Sequence, residues 1–134
     1  MNATIALTTA LYAAILGLLG AALTVNVIRN RVRSRVNTGD GGDARLAQAI
    51  RAHANFAEQA PIALIVIAFA EALGQRVVIV HVLGVALVVA RLASAYALSG
   101  SLGPSPLRQM GAGLNLLVLI AASVAILLAM IGLH

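Results

Sequence analysis

The feature that most constrains this chain is the length of its apolar runs: four stretches of about twenty residues or more, separated by short polar turns. At about 1.5 Å of rise per residue, a helix of that length crosses a hydrocarbon core roughly 30 Å thick. The core of a soluble bundle shows narrower stripes, interrupted by charge at every turn. Of the 134 residues, 61% are hydrophobic and 10% charged, where a soluble domain carries roughly 25% charged residues. The chain therefore reads as all-α, a four-transmembrane-helix bundle forming a single domain over residues 1–134.

The helices are expected at about 3–34, 44–73, 77–98 and 107–133. The start, Met1-Asn2-Ala3-Thr4, lacks a positive n-region, and the apolar stretch behind it is long for a signal peptide, so it reads as a retained first helix. Ala13, Gly17 and Ala21 form a small-residue seam on that helix, and Ala121, Ala125 and Ala129 form a second on the last. Residues 37–43 read as a turn, with Asp43 as N-cap of the second helix. The glycines of that turn are no phosphate loop, because no Gly-Lys-Ser/Thr follows them. Pro61 removes one backbone hydrogen bond from the second helix and is expected to bend it. The Ser99–Pro106 stretch, rich in Gly, Ser and Pro, reads as a loop.

The formal charge of +5 comes from nine arginines and four carboxylates, with no lysine. Six arginines lie between Arg29 and Arg51. Their position at the end of an apolar span is explained by positive-inside topology rather than by a nucleic-acid partner. With Arg108 on the same side and Arg76 opposite, the 35–44 loop should be cytoplasmic and both termini outside, in a bacterial inner membrane if the Ala/Val/Arg bias marks the source. No cysteine is present, so any thiol in a mechanism must come from a ligand.

The second helix opens Arg51-Ala52-His53-Ala54-Asn55-Phe56-Ala57-Glu58-Gln59. At about 100° per residue, Arg51, Asn55 and Glu58 fall within roughly 60° of arc, with His53 nearly opposite. An ionised side chain inside a bilayer costs about 2.5–3.5 kcal/mol on insertion scales, so Arg51 and Glu58 on one stripe should neutralise each other, directly or through Asn55. Two readings stay open: a structural ion pair that fixes packing, or a pocket for a zwitterion, with Glu58 on an ammonium and Arg51 on a carboxylate. Arg91, in the third helix, should face the bundle and pair with Glu58 or a ligand, or be structural. Tyr96 fits an interfacial anchor or a ligand contact, and Arg108 fits a headgroup contact. His53 and His81 lack the neighbours of a metal set, and His134 is terminal. No serine–histidine–acid arrangement or carboxylate dyad stands out.

The string Arg51-Ala52-His53-x-Asn55-x-x-Glu58, followed by Pro61, resembles the signature of the membrane-associated proteins in eicosanoid and glutathione metabolism. The resemblance extends over four helices, the basic first loop, Ala90-Arg91-Leu92 and the proline-containing third loop. It implies a homotrimer with glutathione, as co-substrate, bound between subunits near the cytoplasmic side. Arg51, Asn55 and Glu58 would hold its backbone, His53 would look toward the adjacent subunit, and Arg31 would join from a neighbour. Arg91 and Tyr96 would complete the ligand set, and Arg108 would stabilise the glutathione thiolate. Many eukaryotic members carry tyrosines where this chain has Gln59 and Ser94.

The function implied is a glutathione-dependent transferase or peroxidase acting on lipophilic electrophiles at the membrane. The alternative within the same family is a non-catalytic lipid-binding or scaffolding protein. A proton-driven cation exporter working through Glu58 is disfavoured by Arg51 on the same face, which repels cationic cargo.

Overall fold

The computed structural model describes residues 7–132, as four helices: α1 Leu7–Ser34, α2 Ala44–Ala72, α3 Val77–Gly100 and α4 Pro106–Met130. All four are long and apolar enough to cross a membrane. The reading of Met1–Thr4 as part of a retained first helix, a helix start at residue 3, a helix end at residue 133, and His134 lie outside the described residues.

Local chemistry explains the helix ends. Arg35 takes a left-handed conformation (φ 54°), and the Val36 amide reaches back to the Arg31 carbonyl at 3.2 Å, which closes α1. Asp43 caps α2 as expected, accepting from the Leu46 amide at 2.9 Å, while the Arg33 guanidinium bonds both its carboxylate oxygens at 2.9 Å. The Leu46 amide first, and Arg33 after it, hold the Asp43 carboxyl below the ordinary aspartate range. Ser105 caps α4 by accepting from the Arg108 amide, with Pro106 at the first helical position, where a missing N–H costs nothing.

α2 contains Pro61 as expected, and α3 departs from expectation. α2 runs unbroken through Pro61, which lies on its exposed face. α3 continues to Gly100, two residues beyond the expected end, because the Ser101 amide still bonds the Ala97 carbonyl. Ser99 and Gly100 are helical, Pro106 already belongs to α4, and the loop is confined to residues 101–105.

Short connections make neighbouring helices antiparallel. The α1–α2 and α3–α4 turns share one end of the bundle, and the α2–α3 turn lies at the other. α2 and α3 each pack against all three other helices, whereas α1 and α4 flank them without touching each other among the described residues. Leu16, Ile67, Leu87 and Val118, one from each helix, sit at the centre of the core. The seam of Ala13, Gly17 and Ala21 faces outward instead, and Ala121 is likewise exposed. Close approach within the chain occurs elsewhere. A Cβ on Gly84 of α3 would overlap the Tyr12 ring, and one on Gly111 of α4 would overlap Ser94 Oγ and the Ala90 carbonyl.

The end opposite the basic loop is held by polar contacts that the sequence reading passed over. Glu71, near the end of α2, is buried and accepts from the Thr8 and Thr9 amides at 2.8 Å each and from Thr9 Oγ1 at 2.6 Å. It therefore accepts from amides in the first described turn of α1 from another helix. Beside it, Tyr12 Oη and His81 Nδ1 lie 2.8 Å apart.

Candidate functional site

Arg51 and Glu58 stand two turns apart on α2, and Arg51 Nη1 meets Glu58 Oε1 at 3.1 Å. The predicted stripe exists, but it is not buried within the chain: the two side chains are 43% and 51% exposed. A pair this open contributes at most about 1 kcal/mol to stability. Asn55 does not bridge the pair, as one reading of the stripe allowed. It lies about 40° round the helix from Arg51 and about 60° from Glu58, and is drawn off by a partner on α3.

Arg51 lines a groove of about 510 Å³ with Gly39, Asp40, Ala47, Ile50, Ala54 and Leu102. Two other arginines brace its walls. Arg31 Nη1 donates to the Gly39 carbonyl at 2.9 Å and to the Val36 carbonyl at 3.4 Å. Arg108 Nη1 donates to the Leu102 carbonyl at 3.0 Å. Each guanidinium has five N–H donors, so these backbone bonds leave capacity for a ligand. Within one chain, Arg31 folds onto its own loop rather than reaching away from it. Arg51 and Asp40 line the groove itself, Arg31 and Arg108 bond its wall carbonyls from outside, and Glu58 pairs with Arg51. Charges of both signs gathered there suit a zwitterion.

Arg91 does not pair with Glu58. It is 2% exposed, at the centre of the bundle, where Nη1 donates to Asn55 Oδ1 at 3.2 Å and Nη2 makes a long 3.4 Å contact to the Gly111 carbonyl. The close packing of Gly111 against α3 brings that carbonyl within reach. Neither ion pair among the described residues includes Arg91. Next to it, Asn115 Nδ2 of α4 donates to Gln59 Oε1 at 2.9 Å. Asn115 was missed from the sequence, although a carboxamide in the middle of the last apolar run is the signal that marks it.

The remaining candidates are scattered. His53 is half-buried on α2. Tyr96 is 78% exposed and walls a separate apolar groove of about 420 Å³ with Ala97, Ser99, Ser105 and Leu107. His81 is engaged with Tyr12, and no metal-ligand cluster occurs among the described residues.

Comparison with known proteins matches the MAPEG family over residues 9–128. The chain is also 40% identical over 87 residues to the inner membrane protein YecN of Escherichia coli (strain K12), and equally to YecN of strain O6:H1. That stretch covers 65% of this chain and 66%, just under two thirds, of YecN.

Proposed function

This chain belongs to the MAPEG family, and from that premise we propose that it is a glutathione-dependent transferase or peroxidase acting on lipophilic electrophiles. The observation that carries the reading is the half-exposed Arg51–Glu58 pair, of which Arg51 lines a groove whose walls Arg31 and Arg108 brace. Because that pair is worth so little to the fold, its two halves can part at small cost and take opposite charges of one ligand. Arg51 holds a glutathione carboxylate, Glu58 its ammonium, and Asn55 a backbone group.

Arg108 then acts on the thiol. An ordinary thiol, with a pKa near 8.5, is mostly protonated at neutral pH, and an adjacent guanidinium favours the thiolate. The thiolate sulfur forms a bond to the electrophilic carbon, and the leaving group departs with the electron pair. The electrophile reaches it from the bilayer along apolar helix surface.

The site opens outward from a single chain, and the small-residue seam of α1 and Ala121 of α4 face outward with it. Both features support assembly as a homotrimer, with a neighbour covering the groove and His53 and a neighbour's Arg31 near the shared site. The four spans and the similarity to an inner membrane protein support a place in the inner membrane. The arginine bias puts the 35–44 loop in the cytoplasm and both termini outside.

Calorimetric titration of the assembled protein with glutathione tests the reading, and undetectable binding would sink it. Arg108→Ala should lower turnover about a hundredfold while affinity for glutathione changes only a few-fold. Turnover that survives the substitution would remove the role given to Arg108.

A further inference from the structure

Of the six arginines between Arg29 and Arg51, the groove accounts for Arg31 and Arg51. Helical period sets two of the others apart. Arg29 and Arg33 stand one turn apart on α1, about 40° on the helical wheel, and each lies about 160° from Arg31. Both are exposed. Arg31 folds onto the 36–39 loop beside the groove, so Arg29 and Arg33 belong to a different surface.

That surface is continuous with an apolar stripe. Leu11, Ile15, Leu18, Ala22 and Val25 are exposed on α1 and fall, with Arg29 and Arg33, within about 80° of arc. The seam of Ala13, Gly17 and Ala21 is centred roughly 120° away, so a helix packed on the seam leaves the stripe to lipid. The level fits as well. The 28 residues of α1 rise about 42 Å, against a hydrocarbon core of roughly 30 Å. The excess falls at the polar end of the helix, which puts Arg29 and Arg33 in the headgroup layer. From Arg29 back to Leu18 is about 16 Å, the hydrocarbon depth of one leaflet.

The donors at the head of the stripe are in place and have capacity to spare. Arg29 and Arg35 make no side-chain hydrogen bond or ion pair among the described residues. Arg33 is aimed: its Nη2 donates to both Asp43 oxygens at 2.9 Å and to Asn30 Oδ1 at 3.3 Å, and Asn30 is itself anchored on Asn26. Those bonds engage Nη2 alone, so Nε and Nη1 remain for a ligand. Three guanidiniums against the one Asp43 carboxylate leave an excess of positive charge. Phosphate oxygens match the guanidinium fork, whereas a zwitterionic headgroup brings an ammonium that these cations repel.

We propose that this flank of α1 binds an anionic phospholipid, its phosphodiester on Arg29 and Arg33 and an acyl chain along Val25, Ala22 and Leu18. The site shares no residue with the glutathione groove and does not depend on it.

The chain contains no tryptophan, so Leu18→Trp makes a single reporter on the stripe, and Leu117→Trp makes one on the exposed face of α4. Each full-length protein is reconstituted, without glutathione, in phosphatidylcholine vesicles with a minor fraction of phosphatidylglycerol. Either lipid carries bromine at mid-chain, and fluorescence quenching reads its local concentration. At residue 18 phosphatidylglycerol should be enriched about tenfold over its bulk fraction, and at residue 117 about equal to it. An arginine beside an anionic lipid is worth about fivefold, so Arg29→Gln in the Leu18→Trp protein should lower the enrichment by about that factor. Adding Arg33→Gln should bring it to parity, while Arg31→Gln should leave it within about twofold. Arg29 is exposed and without a partner among the described residues, and unchanged helicity and melting would show that its variant folds. Equal enrichment at both reporters, or enrichment that survives Arg29→Gln, would overturn the site. A loss as large in Arg31→Gln would reduce it to the diffuse charge of that end. Displacement by inorganic phosphate at matched ionic strength would give the arginines to a soluble anion and overturn the lipid.

Discussion

Glu58 and Glu71 lie on the same helix, about 20 Å apart along its axis, and do opposite things. Glu71 is buried and spends its carboxylate on three donors of α1, two of them backbone amides. Glu58 is half exposed and has one partner, Arg51, on its own helix. The first joins two helices and has no capacity to spare, whereas the second leaves free oxygen lone pairs beside a groove. The same side chain is structural at one end of the bundle and available at the other. What separates them is whether the partner is a fixed amide of another helix or a mobile neighbour of the same one.

The comparison breaks most easily at the closed end. Glu71→Ala should cost about 3 kcal/mol, because two α1 amides and a buried hydroxyl lose their acceptor together. Thermal unfolding would measure it, and a loss no greater than that of Glu58→Ala would erase the distinction. Gly84→Ala should cost about 2 kcal/mol, since the new methyl displaces the Tyr12 ring and strains its bond to His81. Unfolding midpoints again decide, and a neutral result would mean that α1 is free to shift.

At the open end the effects should fall on ligand rather than on fold. Glu58→Gln should weaken glutathione about tenfold, while stability changes by less than about 1 kcal/mol. Calorimetry and melting on the same samples sharpen the contrast, and a stability loss without an affinity loss would make Glu58 structural.

The smallest effect is one of pH. Asp43 has its pKa lowered by folding, chiefly by the Leu46 amide. Its contribution is present above the unfolded-state value and is lost as the pH falls through the folded-state value, so it vanishes only below the ordinary aspartate range. Asp43→Asn, which keeps a capping oxygen, should flatten that acid limb of the melting curve. An unchanged limb would assign it to other carboxylates.

How much of this could be read before folding differs from residue to residue. The Arg51–Glu58 pair was legible because both groups sit on one helix, whose periodicity fixes their angle. Asp43 was legible as a cap because a cap acts within three residues. Asn55 was placed on the stripe as one possible bridge, but its partner on α3 was not legible, since Arg91 reaches it only when that helix packs at this depth. Glu71 drew no attention as a carboxylate near a turn, because its donors lie more than sixty residues away. The seam of Ala13, Gly17 and Ala21, read from the sequence as a surface for close packing, is exposed, and nothing among the described residues packs against Gly17 at its centre. The chain itself packs closely at Gly84 and Gly111, where a side chain or a carbonyl already fills the space.

The sequence by itself determined that four helices are long and apolar enough to span a bilayer, where the turns fall, and that charges of both signs share one face of α2. Hydropathy, capping and helical period are properties of adjacent residues, so they survive without any knowledge of packing. Only the tertiary structure decided which carboxylate is spent and which is free, and that Arg91 bonds Asn55 across two helices. Those outcomes depend on the relative height and rotation of separate helices, which small residues at a few crossings set and which no local pattern encodes.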